Sequence, residues 1–149
     1  FDFKGKFNGR RISLPGSSPN PNFFLAFKGI KIGPREAYVL DILSSILGDG
    51  GSSYLTGQYV LNRKPVLTKV SAGNYTLQES GVFFIGGQLI NSKKLKWIQK
   101  DLYKQIKRGC KTAINEKNLQ KIKNQYLVQM ISGLETNAGV ASLLGNRAV

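Results

Sequence analysis

The spacing of apolar positions changes several times along the chain, and each change marks an element. Residues 23–30 are almost continuously apolar and aromatic, as in a buried strand. Gly33 and Pro34 interrupt this run, and Pro34 suits the first turn of a helix because its missing N–H is not needed there. Ala37, Leu40, Leu43 and Leu47 then recur at helical spacing. Val39, Ile42 and Ile46 widen the stripe, predicting a deeply buried helix over 35–47 closed by Gly48 in a left-handed cap. The glycine-serine stretch 48–53 reads as a turn, with Ser52 or Ser53 capping a second helix from Ser53 to Leu61. It lacks the spacing of a phosphate-binding loop and follows a helix rather than a strand.

Val66, Thr68, Val70 and Ala72 alternate with more polar neighbours, which predicts a strand with one wet face. Gly73-Asn74 predicts an irregularity, and Glu79-Ser80-Gly81 a turn. The run 82–90 predicts a second buried strand, antiparallel by its short connection and bent at Gly86-Gly87. Asn91-Ser92 caps a helix over 93–108 with Leu95, Ile98, Leu102 and Ile106 inward, Trp97 outward and Gly109 at its end. Asn115 caps a longer helix to about Leu134, with Leu119, Ile122, Tyr126 and Met130 as its stripe. A short helical pattern over 136–144 follows. Before all this, Arg10–Leu14 predicts a short edge strand and Pro15–Pro21 a loop. The domain reading is a leading segment and loop at 1–22 and a single domain at 23–149. Its order, β-α-α-β-β-α-α, predicts an α+β two-layer sandwich with a mostly antiparallel sheet and helices on one face.

Composition narrows the chemistry. The 149 residues are 41% hydrophobic, enough for a core. No apolar run approaches the roughly 18 residues of a membrane span. The chain contains no histidine, which removes Ser-His and Cys-His nucleophile pairs and histidine metal ligands together. The single Cys110, placed just past a helix end, reads as an incidental free thiol. The eight acidic residues are scattered, with no acid-base pair evident. Net charge is +14, concentrated between Lys93 and Lys123. That reads first as a solvated helical face, and otherwise as a nucleic-acid surface with Trp97 among the lysines. The first residue is not Met and no signal-peptide pattern follows, which reads as a cut inside a longer protein of undetermined compartment.

Five stretches, in order, carry a resemblance. They are Phe23–Gly29, Glu36–Gly48, Gly51–Leu55, Pro65–Ala72 and Lys121–Asn137. Together they resemble the second, non-catalytic type of domain in zinc metallopeptidases of the pitrilysin/insulinase family, in the M16 branch containing mitochondrial processing peptidase and bacterial two-domain peptidases. The family's zinc motif, His-x-x-Glu-His, belongs to the other domain type. The resemblance therefore implies no cofactor in this chain and zinc in a catalytic M16-type domain, in the same or a companion chain. It further implies that the two halves enclose a peptide substrate. Many relatives carry an Arg and a Tyr, seven residues apart, that hold the peptide near zinc; Leu61 and Thr68 stand there in this sequence. Arg63 and Lys64 are the nearby substitutes, so Arg63, Lys64 and Thr68 are the candidate substrate-binding residues. Relatives also continue through another helix and strand, so the domain is expected to be truncated at its end, with a sheet edge unpaired. An inactive peptidase-like scaffold is the alternative, favoured by Leu61 and Thr68, and a basic nucleic-acid-binding domain ranks third.

Overall fold

A computed structural model describes residues 9, 12–16 and 20–147. Three strands form one antiparallel sheet: β1 (Asn22–Lys28), β2 (Leu67–Thr76) and β3 (Gly81–Leu89). Their spatial order is β1-β3-β2, so β3 is central and paired on both edges. That position explains why β3 is the most continuously buried strand. The helices are α1 (Arg35–Gly48), α2 (Tyr54–Tyr59), α3 (Leu95–Thr112), α4 (Glu116–Leu134) and α5 (Asn137–Arg147), with a 3-10 turn at Ser92–Lys94 before α3. The α+β two-layer expectation holds.

The core lies between the sheet and the first three helices. Leu47 of α1, Leu55 and Tyr59 of α2, and Ile98 and Leu102 of α3 meet Leu67, Phe83, Ile85 and Leu89 of the strands. A smaller cluster of Ile46, Ala113 and Ile122 joins α4 to α1. Between these layers Tyr59 is buried and its hydroxyl donates to Asp101 Oδ2 at 2.9 Å, tying α2 to α3. Burial, and then the Asp101 carboxylate, push the Tyr59 phenol far above the ordinary tyrosine range. An unfolded chain begins to lose this proton near pH 10, while the folded chain keeps it. The folded state thus binds more protons above that pH, and the contribution of Tyr59, complete below about pH 10, declines as pH rises. Tyr59→Phe should cost about 2 kcal/mol at neutral pH, as for a hydrogen bond to a charged acceptor. It should also lessen the loss of stability above about pH 10, as read by urea unfolding on both sides of that pH.

Several glycines have a different purpose from the one their sequence context suggests. Gly48 does not adopt a left-handed cap; it lies inside the last turn of α1, and the positive-φ glycines are Gly33 and Gly50. A Cβ on Gly48 would lie 2.3 Å from the Ala72 backbone nitrogen, so glycine lets α1 press directly on β2. Gly109 does not end α3, which runs on to Thr112 and takes in Cys110 as a half-buried residue. Instead Gly109 is a notch that receives Tyr54 and Leu47. Gly73-Asn74 does not break β2, and pairing runs unbroken through Gly86-Gly87. The irregularity falls between Leu67 and Lys69 instead.

Other expectations shift in extent. Val39 is exposed, so the buried stripe of α1 is narrower than its apolar pattern suggests. Tyr126 and Met130 are exposed, because the apolar packing of α4 on α1 is around Leu119 and Ile122, and Tyr126 reaches α1 only through its hydroxyl. Ser53 stands at the N-cap of α2, but its hydroxyl donates to Thr56 Oγ1 and makes no capping bond from a backbone N–H. Asn91 and Asn115 cap as expected, accepting from the backbone N–H of Lys93 and Asn118. Of the edge strand expected at the start, Arg10 and Arg11 lie outside the described residues, while Ile12, Ser13 and Leu14 form no strand and are exposed. Within the expected loop, residues 17–19 also lie outside the described set.

Candidate functional site

The sheet has helices on one face and none of the described helices packs on the other. Alternation along β1 sends Phe23 and Phe27 inward and leaves Phe24 and Lys28 on the open face. The register sets Phe24 beside Gly86 and Gly73 beside Phe84. Phe24 and Phe84 stack there, with ring centroids 4.9 Å apart. A Cβ on Gly73 would meet the Phe84 ring at 2.5 Å, so this glycine is a seat for an aromatic ring. Tyr75 and Val82 are paired on the same face and both are exposed. Phe24 remains 67% exposed and Tyr75 62%, an uncommon exposure for aromatics on a flat sheet surface.

Polar groups border this apolar field at the opposite end. Thr68 is the extra residue of the irregularity, exposed, and its hydroxyl donates to Gln88 Oε1 at 2.8 Å. Because Gln88 shares the parity of Gly86 and Phe84, Thr68 is turned to the open face. Arg63 and Lys64 lie in the exposed connection between α2 and β2. The Lys64 backbone N–H approaches Asn62 Oδ1 at 3.5 Å. Among the described residues no hydrogen bond joins either basic residue to Thr68, and the three candidates share one stretch of chain. Leu61 is exposed beside them. The Phe24, Phe84 and Gly73 arrangement was not singled out from the sequence. Its signal was the presence of apolar residues at both parities of β1 and β3.

On the helical side, a cleft of about 320 Å³ lies between the 50–53 loop and the start of α4. Lys121 Nζ donates to Ser52 Oγ across it, and the Ser45 and Tyr126 hydroxyls meet at 3.0 Å nearby. Among the described residues no three His, Cys, Asp or Glu side chains gather as a metal site requires. With no histidine in the sequence, the donor set does not fit catalytic zinc. Among the described residues no helix is long and apolar enough to cross a membrane.

The chain is 32% identical, over 77% of its length, to the zinc protease PqqE of Helicobacter pylori. It is 27% identical, over 87% of its length, to the mitochondrial-processing peptidase subunit alpha of Neurospora crassa. It spans only 26% of each of these relatives. Among solved structures, a protease from Helicobacter pylori superposes with a TM-score of 0.74 at 28% identity, covering 83% of this chain and 30% of that one. The peptidase M16 inactive domain from Pseudomonas fluorescens shares the fold, with a TM-score of 0.72 at 21% identity over 87% of this chain and 30% of that one. The family described as the peptidase M16 inactive domain matches residues 2–126. With the same architecture and most of its length matched, this chain belongs to the peptidase M16 inactive domain family.

Proposed function

We propose that this domain is the non-catalytic wall of a peptide-enclosing chamber, its open sheet face turned to substrate and a zinc-bearing M16 domain opposite. The catalytic domain belongs to the same polypeptide or to a companion subunit. The observation that carries this reading is the uncovered sheet face, where Phe24, Phe84, Tyr75 and Val82 form an apolar field edged by Thr68 and Gln88. Such a surface holds extended peptides of varied sequence by area burial, while the hydroxyl and amide at its border fix position. Arg63 and Lys64 stand near that border in sequence and suit acidic side chains of a substrate. Zinc and water activation fall to the catalytic domain, since this sequence has no histidine and no metal-binding group of side chains gathers among the described residues.

In the complete peptidase, Phe24→Ser combined with Tyr75→Ser should lower kcat/KM for a long peptide about tenfold, mainly through KM, because the lost contacts are made before and during cleavage alike. Zinc content should not change. An unaltered kcat/KM in a correctly folded double variant would reject the chamber-wall reading. The second reading is a scaffold that assembles without assisting cleavage, favoured by Leu61 and Thr68 at the positions where relatives carry Arg and Tyr. It takes over if the complete protein, loaded with zinc, cleaves no peptide.

A further inference from the structure

Helix α3 carries a line of lysines on the side facing away from the sheet. At 100° per residue, Lys96, Lys100, Lys104, Lys107 and Lys111 fall within an arc of about 80°, opposite the buried stripe of Ile98, Leu102 and Gly109. All five are exposed, and the line is about 22 Å long at helical rise. Lys93 and Lys94 precede it in the 3-10 turn. The one acidic residue of α3, Asp101, lies off the line and accepts the Tyr59 hydroxyl. Like charges four residues apart destabilise a helix, as at Lys96/Lys100, Lys100/Lys104 and Lys107/Lys111, and an anionic surface relieves that repulsion.

Trp97 flanks the line about 60° around the helix and is 46% exposed. Its ring carries the Lys94 ammonium 5.5 Å from the centroid, and Tyr103 packs edge-to-face on Phe27 at 6.0 Å. Neither ring is presented as an open platform for a nucleic-acid base. A tryptophan beside long lysine stems instead suits a lipid headgroup layer, where lysines reach phosphates and the indole lies at the acyl boundary. We propose that the lysine line of α3 docks this domain in the plane of an anionic phospholipid surface. The open face of the sheet lies on the opposite layer and stays accessible in that orientation. The proposal therefore stands independently of the chamber-wall reading.

Trp97 is the only tryptophan in the chain, so its fluorescence reports this surface alone. The test mixes the 149-residue chain with phosphatidylcholine vesicles, with or without about 30 mol% phosphatidylglycerol, at moderate salt. The expected result is binding to the anionic vesicles only, with a blue shift of Trp97 emission and quenching by brominated lipid. Each lysine near such a surface strengthens partitioning about fivefold, so Lys100→Glu/Lys104→Glu should weaken it at least about 25-fold. Lys28→Glu/Lys69→Glu changes net charge equally on the other layer and should weaken it less than about threefold, circular dichroism being unchanged in both. Equal losses in the two variants would mean bulk charge attraction and overturn the proposal. So would vesicle binding without Trp97 quenching, no vesicle binding at all, or retention of duplex DNA without vesicle binding.

Discussion

Replacing Gly48 with valine is expected to destabilise the domain by at least about 3 kcal/mol, above the usual range for overpacking. The reason is the identity of the obstructing atoms. A new Cβ would lie 2.3 Å from the Ala72 backbone nitrogen and 2.6 Å from its Cβ, so no rotamer change relieves the contact. Helix α1 must instead lift from β2, opening the core around Leu47. Even Gly48→Ala should destabilise, although alanine favours helix over glycine by about 1 kcal/mol. Gly57 supplies the contrast. It lies within α2, with open space where a Cβ would go, so Gly57→Ala should stabilise by up to about 1 kcal/mol. Opposite signs for two glycine-to-alanine changes in neighbouring helices, read as urea midpoints, is the expected outcome. Stabilisation by Gly48→Ala would refute the close approach of α1 to β2.

The second large effect is expected at Ile85. It is fully buried, belongs to the strand paired on both sides, and projects from the centre of the sheet into the layer of helices. Ile85→Ala removes three carbon atoms from a site bounded by strands and helices that cannot close inward together. The cost should be about 4 kcal/mol, combining lost transfer energy with the residual cavity. A domain of this size commonly has only about 5–15 kcal/mol of net stability, so roughly a quarter to four-fifths of it would be lost. By comparison, Val82→Ala on the open face of the same strand should cost under about 1 kcal/mol, because Val82 is already exposed. Chemical unfolding of the two variants separates the faces of β3. Similar costs would contradict the one-sided packing of the sheet.

The fold was largely legible because its signals are periodic. The stripe of Leu95, Ile98, Leu102 and Ile106 and the caps at Asn91 and Asn115 each fix an element with few alternatives. What could not be read concerns distance between elements that are far apart in sequence. Glycine has two uses, freedom at positive φ and the absence of a side chain, and sequence does not separate them. Gly48, Gly73 and Gly109 look like punctuation and are instead contact surfaces for Ala72, Phe84 and Tyr54. Likewise, Tyr126 and Met130 continue the period of Ile122, but period says nothing about how far along α4 its neighbour extends. The candidate site was legible in part. Thr68 does reach the open face, but only because an irregularity in β2 turns it there, and alternation alone does not reveal such a shift.

The strand order also sets a timetable. β2 and β3 are joined by residues 77–80, so their hairpin forms from chain that is already close at hand. Among the described residues β1 pairs only with β3, and the partner of Leu25 is Ile85, beyond both α1 and α2. During synthesis the first strand must therefore wait, its aromatic residues unsatisfied, until the central strand has emerged. Closing that long loop is the slow entropic step in assembling the sheet. The phenylalanines of β1, unpaired until then, are thus a hazard to the nascent chain well before they can serve the folded domain.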